Sequence, residues 1–357
     1  MEIQRKEKSM AYQGWSDFRS DTVTRPTAEM RKAMSEAEVG DDVLGDDPTV
    51  IRLQELAAEL MGKEAGLFVP SGTMGNTIAL MVHGCRAKEV LVEEKCHIYN
   101  FECGNISHLA GAVPRPLPSD RGMIALADLE SNFRGIGAAH LAPTAGICLE
   151  NTHNYHGGAV IPIEYIESVA GFARSRDLFL HLDGARIFNA AAFLKIEARR
   201  IARPFDSVMF CLSKGLAAPV GSMLVGTREF IGEAHSVRKQ LGGGMRQAGV
   251  LAAAGTIALQ KMRLRLEDDH RRARRLSDGI AEIPGLAIRP ADVQSNIVIF
   301  HVRSTAIDPV TLTQMMKENR VLALPFGIGR VRMVVHNDID DADVDRAITC
   351  LKKTMSA

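Results

Sequence analysis

Asp206-Ser207-Val208-Met209-Phe210-Cys211-Leu212-Ser213-Lys214-Gly215-Leu216 is the stretch from which the organisation of this chain follows. Its apolar run, Val208 to Leu212, has the length and composition of a short buried strand. The run delivers one lysine, Lys214, between a serine and a glycine, where a strand gives way to a turn. An ammonium group is costly to place at the end of a buried strand. Lys214 is therefore either a surface lysine on a turn or a nucleophilic amine that attacks a carbonyl and forms a Schiff base. The choice rests on what else the chain carries.

Four further segments repeat the pattern of a strand that ends in polar residues. Leu178 to Leu182 reads as a strand and ends in Asp183-Gly184-Ala185-Arg186. Asp183 is placed to pair with a protonated ring nitrogen, or simply to cap a helix over Ala185 to Phe193. Ala65 to Pro70 leads through Ser71-Gly72-Thr73-Met74-Gly75-Asn76-Thr77 into an apolar helix from Ile78 to His83. Small residues and hydroxyls at a helix start make a phosphate cradle, or an ordinary N-cap. No lysine follows the second glycine, so this is not a Walker loop. Glu89 to Val92 is a strand that runs towards His97, at a position where ligands sit in open α/β sheets. Gly146 to Glu150 is another, followed by the polar loop Asn151 to Asn154. With a helix over Ile161 to Arg176 and a strand over Gly221 to Gly226, strands alternate with helices. That alternation predicts an α/β fold: a mostly parallel sheet with helices on both faces.

Towards the N-terminus, residues 17–27 are a polar loop, and Thr27 caps a helix over Ala28 to Ala37. Residues 40–48 carry four aspartates, which either bind a cation or cap the next helix. Pro48 sits where a first helical turn accepts it, which favours capping by Asp47 of a helix from Thr49 to Gly62. Further on, Gly242-Gly243-Gly244 lies between Arg238, Lys239 and Arg246. This is a flexible linker, or an anion site that also joins two subunits. A long helix from Ala248 to Leu276 then connects to the C-terminal part. There, residues 295–300 and 329–336 read as strands of a smaller α+β domain. Arg332, inside an otherwise apolar strand, needs a carboxylate partner from protein or substrate. The expected organisation is an arm with the first helix (1–35), a large domain (36–260) and a small domain (261–357).

Composition narrows the class. Over 357 residues, apolar residues make 46% and charged residues 24%, as in ordinary globular proteins. Lys plus Arg and Asp plus Glu are 43 each, so no general affinity for nucleic acid or anionic membrane is expected. No apolar run reaches the roughly 18 residues that span a bilayer. The six cysteines are scattered without a C-x-x-C, which suits free thiols in a reducing, cytoplasmic compartment. The opening fifteen residues lack the apolar core of a secretory signal, and Met10 offers an alternative start.

A Schiff-base lysine, a strand-end aspartate, a phosphate turn, a strand-end histidine and a buried arginine together are the parts that hold pyridoxal phosphate and an amino-acid substrate. The chain also resembles the low-specificity L-threonine aldolases, members of the fold-type-I pyridoxal-phosphate enzymes. The matching segments are DFRSDTVTRPT (17–27), GDDVLGDDPT (40–49), FVPSGTMGN (68–76), HLDGARIFNA (181–190), DSVMFCLSKGLAAPVGS (206–222) and RKQLGGGMRQAGVLAAA (238–254), with a weaker match through VRMVVH (331–336).

The resemblance implies that Lys214, beside Ser213, carries the cofactor, that Asp183 pairs with its ring nitrogen and that His97 stacks on its face. It implies that Ser71, Gly72 and Thr73 hold the phosphate. Ser20, Arg186 and Arg332 would surround the substrate carboxylate and the cofactor oxygen. Lys239 and Arg246 would reach the site of a neighbouring subunit in a homodimer or homotetramer. The implied reaction is retro-aldol cleavage of threonine or allo-threonine to glycine and an aldehyde, with His97 as the first candidate for the base and His153 as the second. Two departures stand out: Gly111 to Pro116 lacks the histidine that many relatives carry, and Leu44 stands where many have tyrosine. The alternatives are a β-eliminating lyase or amino-acid racemase on the same fold, a non-catalytic regulator that binds the cofactor, and a metal-dependent enzyme built on the aspartate loop.

Overall fold

The computed structural model describes residue 12, residues 14–137 and residues 139–356; the arm residues 1–11, with Met10, and residue 13 lie outside the described residues. The chain divides into two compact units. The larger runs from Arg25 to Leu264, and the smaller combines the N-terminal segment to Thr24 with Arg265–Ala357.

The larger unit is built on a seven-stranded sheet. Its strands are β1 (Ala65–Val69), β2 (Glu89–Glu93), β3 (Val113–Leu117), β4 (Thr144–Glu150), β5 (Phe179–Asp183), β6 (Ser207–Cys211) and β7 (Ser222–Gly226). They lie in the order β1-β7-β6-β5-β4-β2-β3. β7 is antiparallel to both its neighbours, and the other adjacent pairs are parallel. All five residues of β2, β6 and β7 are buried, as expected where a sheet is covered on both sides. The expected parallel architecture is thus present, with one antiparallel insertion.

Local chemistry sets the helix boundaries. Helix α1 (Ala28–Ser35) is capped by Thr27, whose side chain accepts from the Met30 N–H. Helix α2 (Pro48–Met61) has proline in its first turn, and Asp47 Oδ1 accepts from the N–H groups of Thr49 and Val50 at 3.1 and 3.0 Å. Asp47 therefore serves as the expected cap. Its other oxygen accepts from the Gly249 N–H at 2.8 Å, which ties the start of α8 (Gly249–Gln260) to α2. Helix α3 (Gly72–Val82) starts right after its N-cap Ser71 and so extends further back than the apolar run suggests. Further helices are α4 (His97–Asn100), α5 (Ile163–Arg174), α6 (Ile187–Leu194) and α7 (Arg228–Gln240).

The single helix expected over Ala248 to Leu276 is in fact two. It breaks after Gln260 into a tight turn at Met262–Arg265, and α9 then runs from Leu266 to Ala281. Arg263 Nε donates to the Leu259 carbonyl at 2.6 Å. That side-chain bond back onto the preceding turn accompanies the change of direction.

The smaller unit carries a four-stranded antiparallel sheet. Its strands are β8 (Leu286–Ala287), β9 (Ile297–Val302), β10 (Leu324–Pro325) and β11 (Arg330–Val334), in the order β8-β9-β11-β10. Helices α9, α10 (Pro309–Glu318) and α11 (Asp341–Met355) complete it. Its core includes Phe18, Phe300, Leu312, Val331, Met333 and Leu351. Phe18 is fully buried, so the N-terminal segment is integral to this unit.

Candidate active site

β5 and β6 are adjacent and parallel, so their C-terminal ends open on the same edge of the sheet. Beyond β6 the chain turns tightly: the Ala217 N–H donates to the Lys214 carbonyl at 2.8 Å and the Ala218 N–H to the Leu212 carbonyl at 3.1 Å. Ala217 takes a left-handed conformation, φ 61°, to make this turn. Lys214 and Ser213 are left half-buried at the edge instead of projecting into bulk water.

Asp183, the last residue of β5, is 1% exposed. Its Oδ1 accepts from the Ala185 N–H at 3.1 Å and its Oδ2 from Asn76 Nδ2 at 3.0 Å. Helix α6 begins only at Ile187, with Arg186 at the cap position, so Asp183 is not the helix cap that its sequence position also allowed.

The Ser71-Gly72-Thr73 turn opens α3 beside this edge. Ser71 Oγ accepts from the Met74 N–H at 3.2 Å. A Cβ on Gly72 would lie 3.1 Å from both Cys211 Sγ and Met209 Cε, so the turn rests directly on β6, three residues before Lys214. The first turn of a helix also offers N–H groups that have no partner within the helix.

His97 opens α4. Its backbone N–H donates to Glu150 Oε2 at 2.7 Å, and its Nδ1 lies 2.9 Å from Glu102 Oε1. The imidazole side chain is 31% exposed and Glu102 only 2%. Burial pulls the His97 pKa down. The hydrogen bond to Glu102 and the negative charges of Asp183 and Glu102 outweigh that effect and hold it above the ordinary histidine value, against a smaller opposing effect from Lys214. His97, Asp183 and Lys214 thus share one electrostatic neighbourhood.

Arg186 is 5% exposed, and its Nη1 donates to Asn154 Oδ1 at 3.5 Å. The Asn154 N–H in turn donates to Glu150 Oε1 at 2.8 Å, so Glu150 ties the backbone of His97 to the loop that meets Arg186. His153, the second candidate base, is fully buried, with Nε2 2.9 Å from Glu93 Oε2. His156 approaches the other Glu93 oxygen at 3.2 Å. These three side chains are close enough to share a cation. His153 Nδ1, however, has no hydrogen-bond partner, whereas a metal-bound imidazole normally donates its second N–H. The cluster is therefore better described as a hydrogen-bonded support beneath the site.

The remaining predicted residues are more dispersed. The glycine run packs on the start of α3, because a Cβ on Gly243 would collide with Met74 Sδ. Lys239 and Arg246 flank that run and are exposed, and Arg246 Nη1 pairs with Asp41 Oδ2 at 3.0 Å. Ser20 and Arg332 belong to the smaller unit. Ser20 caps the short turn Asp21–Val23, and Arg332 Nη2 donates to the Arg19 carbonyl at 3.4 Å. Sequence inspection missed Asn76, Glu102, Glu150 and His181. The available signal was a polar residue inside an apolar element, as with His181 between Leu180 and Leu182.

The chain is similar to known proteins along most of its length. The beta-eliminating lyase family matches residues 17–303. The chain is 44% identical over 343 residues to low-specificity L-threonine aldolase 1 of Arabidopsis thaliana, covering 95% of this chain and 96% of that one. It is also 44% identical over 324 residues to the low specificity L-threonine aldolase of Escherichia coli K12, covering 90% and 94%. In fold it is similar to the threonine aldolase of Leishmania major, with TM-score 0.80 and 20% identity over 95% of this chain and 99% of that one. The fold is that of the fold-type-I enzymes, as the motifs implied. With a family match across most of its length and relatives of this identity over nine-tenths of it, the chain belongs to the beta-eliminating lyase family, among the low-specificity L-threonine aldolases.

Proposed function

We propose that this protein is a lyase that cleaves L-threonine, L-allo-threonine and related β-hydroxy-α-amino acids to glycine and an aldehyde, with pyridoxal phosphate as cofactor. One observation carries the proposal: Lys214 and Asp183 leave adjacent strand ends at one sheet edge, with the Ser71–Thr73 turn resting on the same strand as Lys214. The residues fit the group: Ser71 and Thr73 offer hydroxyls at a helix start packed on β6, Asp183 is a buried carboxylate able to accept from a protonated ring nitrogen, and Lys214 is a half-buried amine at the end of the neighbouring strand. When bound, the cofactor supplies an electron sink for the bond-breaking step.

The chain's own residues supply the rest. Lys214 holds the cofactor through its amine. Ser71, Gly72 and Thr73 donate to the phosphate, and Asp183 accepts the hydrogen bond of the ring nitrogen. Arg186 takes the substrate carboxylate in a charge-assisted pair. His97 packs against the ring, and its tautomer decides its second task. With Nδ1–H donated to Glu102, the lone pair resides on Nε2, where it can take the proton of a substrate hydroxyl. No rival base comes from β3. That strand offers Arg115, which is already held by Glu89 through Nε at 2.8 Å and Nη2 at 2.5 Å.

The proposal extends to a homotetramer in which Lys239 and Arg246 reach a neighbouring subunit's phosphate, and to a cytoplasmic location. No helix among the described residues is long and apolar enough to cross a membrane. Incubation with L-threonine and L-allo-threonine separately, following acetaldehyde and glycine, tests the reaction. Formation of pyruvate and ammonia from serine in place of aldehyde release would instead indicate a β-eliminating lyase.

A further inference from the structure

A line of buried polar side chains runs from Asp183 away from the candidate active site, and the reaction does not account for it. Asn76 Nδ2 lies 2.8 Å from Glu102 Oε1 and 3.0 Å from Asp183 Oδ2. His181 Nε2 lies 3.1 Å from Asn76 Oδ1, and His181 Nδ1 lies 2.8 Å from Ser207 Oγ. Ser207 Oγ in turn lies 2.7 Å from His83 Nε2. Asn76, His181 and Ser207 are all fully buried. His83 stacks on Phe179, centroids 4.3 Å apart, and lines a cavity of ≈ 420 Å³ with Lys88, Asp177 and Asp206.

The donors and acceptors available give this line one consistent order of hydrogen bonds. The two hydrogens of an amide NH₂ match two carboxylate oxygens, so the Asn76 oxygen must face the other way. That oxygen only accepts, so His181 Nε2 carries a hydrogen. Burial pushes His181 down to about 3, which leaves the ring neutral and Nδ1 with a lone pair. Nδ1 therefore accepts from the Ser207 hydroxyl. Having used its one hydrogen, Ser207 Oγ accepts from His83 Nε2–H. Burial likewise lowers His83, to about 4, and keeps it neutral. The reverse order would turn the Asn76 oxygen against two carboxylates.

We infer that His83, Ser207, His181 and Asn76 form a one-way donor chain that positions and polarises the Asp183 carboxylate for the cofactor's ring nitrogen. Each donor is strengthened by the one behind it. The four are positioning residues, acting through Asp183 without touching substrate. The inference rests on the functional proposal above, which gives Asp183 its ring partner.

The test uses the full-length holoenzyme, with ¹⁵N NMR of the histidine side chains to read tautomers. Wild type should show hydrogen on Nε2 of both His181 and His83. Ser207→Ala, which removes one hydroxyl and little volume, should keep the cofactor attached but shift its visible absorption maximum. It should lower kcat roughly three- to tenfold, the effect of one hydrogen bond, with KM for the amino acid changed less than about twofold. Asn76→Asp, isosteric but facing both carboxylates with an acceptor, should cost more. Hydrogen on His181 Nδ1 in wild type would overturn the chain alone, as would a Ser207→Ala holoenzyme with wild-type kcat and spectrum. A wild-type protein that takes up no pyridoxal phosphate would overturn both the functional proposal and the role given to the chain.

Discussion

The His97 imidazole donates from Nδ1 to Glu102 Oε1 at 2.9 Å, and Glu102 is almost completely buried. A base must be unprotonated to act, and His97 is held above the ordinary histidine value. The acid limb of kcat/KM, which reports the free enzyme, should therefore lie above about pH 6.5, the unperturbed value. Glu102→Gln removes one of the charges that raise His97, so the limb should move to lower pH. The plateau should also fall, on the order of tenfold, because a hydrogen bond to a charged group is lost. A limb that stays in place in the variant would mean that another group titrates.

Replacing the imidazole itself separates packing from proton transfer. His97→Phe keeps an aromatic face and should retain the cofactor, measured by its visible absorbance. Its kcat should fall by about 10²–10⁴, the usual contribution of a positioned base. Full turnover in His97→Phe would place the base elsewhere. His153 is a poor substitute, because it is fully buried and already engaged by Glu93.

The difference between what the sequence disclosed and what it concealed has a physical origin. Lys214, Asp183 and the Ser71–Thr73 turn were legible because each ends a run of apolar residues, and apolar periodicity survives in one dimension. The cap at Asp47 was legible because capping is local, within three residues. Glu102, by contrast, meets Asn76 across 26 positions, and Asn76 meets Asp183 across 107. Such pairs arise only when α3 lies against the sheet edge, and no local pattern announces them. The break after Gln260 was hidden for a related reason. Residues 248–276 suit a helix throughout, and at the interruption the Arg263 side chain reaches the Leu259 carbonyl, a contact that no local pattern announces.

A buried ion pair is one of the contacts that hold the aspartate loop. Arg238 Nη2 lies 2.9 Å from Asp42 Oδ2, with the side chains 1% and 5% exposed, and Arg238 Nη1 donates to the Phe68 carbonyl at 2.7 Å. Burial raises Asp42 and lowers Arg238 despite their attraction, so desolvation consumes most of the pair's gain. Asp42→Ala should cost about 3–5 kcal/mol, since it strands a buried guanidinium. The double variant Asp42→Leu with Arg238→Met should recover most of that loss. Urea unfolding of the single and double variants checks both statements. A double variant no more stable than Asp42→Ala would show that the pair is worth more than its desolvation.

Glu93 is the centre of the support beneath the site. It is 2% exposed and accepts from the Lys95 N–H at 2.6 Å, His153 Nε2 at 2.9 Å and the Ser119 hydroxyl at 2.8 Å. Burial pushes its carboxyl up, but the bonds from His153, His156 and Ser119 prevail and hold it well below the usual carboxylate range. A depressed carboxylate contributes stability above its unfolded value, near 4.3, and loses it as pH falls towards the folded value. His153 behaves in the opposite sense. Burial lowers it, but Glu150 and Glu93 raise it overall, so its contribution is full below about 6.5 and is lost as pH rises through the folded value. The stability advantage of wild type over Glu93→Gln should therefore be widest between about pH 5 and 6.5 and narrow on both sides, reaching roughly 1.5–3 kcal/mol at its maximum. Thermal unfolding of both proteins from acid to alkaline pH measures that gap. A gap that stays constant with pH would mean that Glu93 acts through packing and neutral hydrogen bonds, with no charge involved.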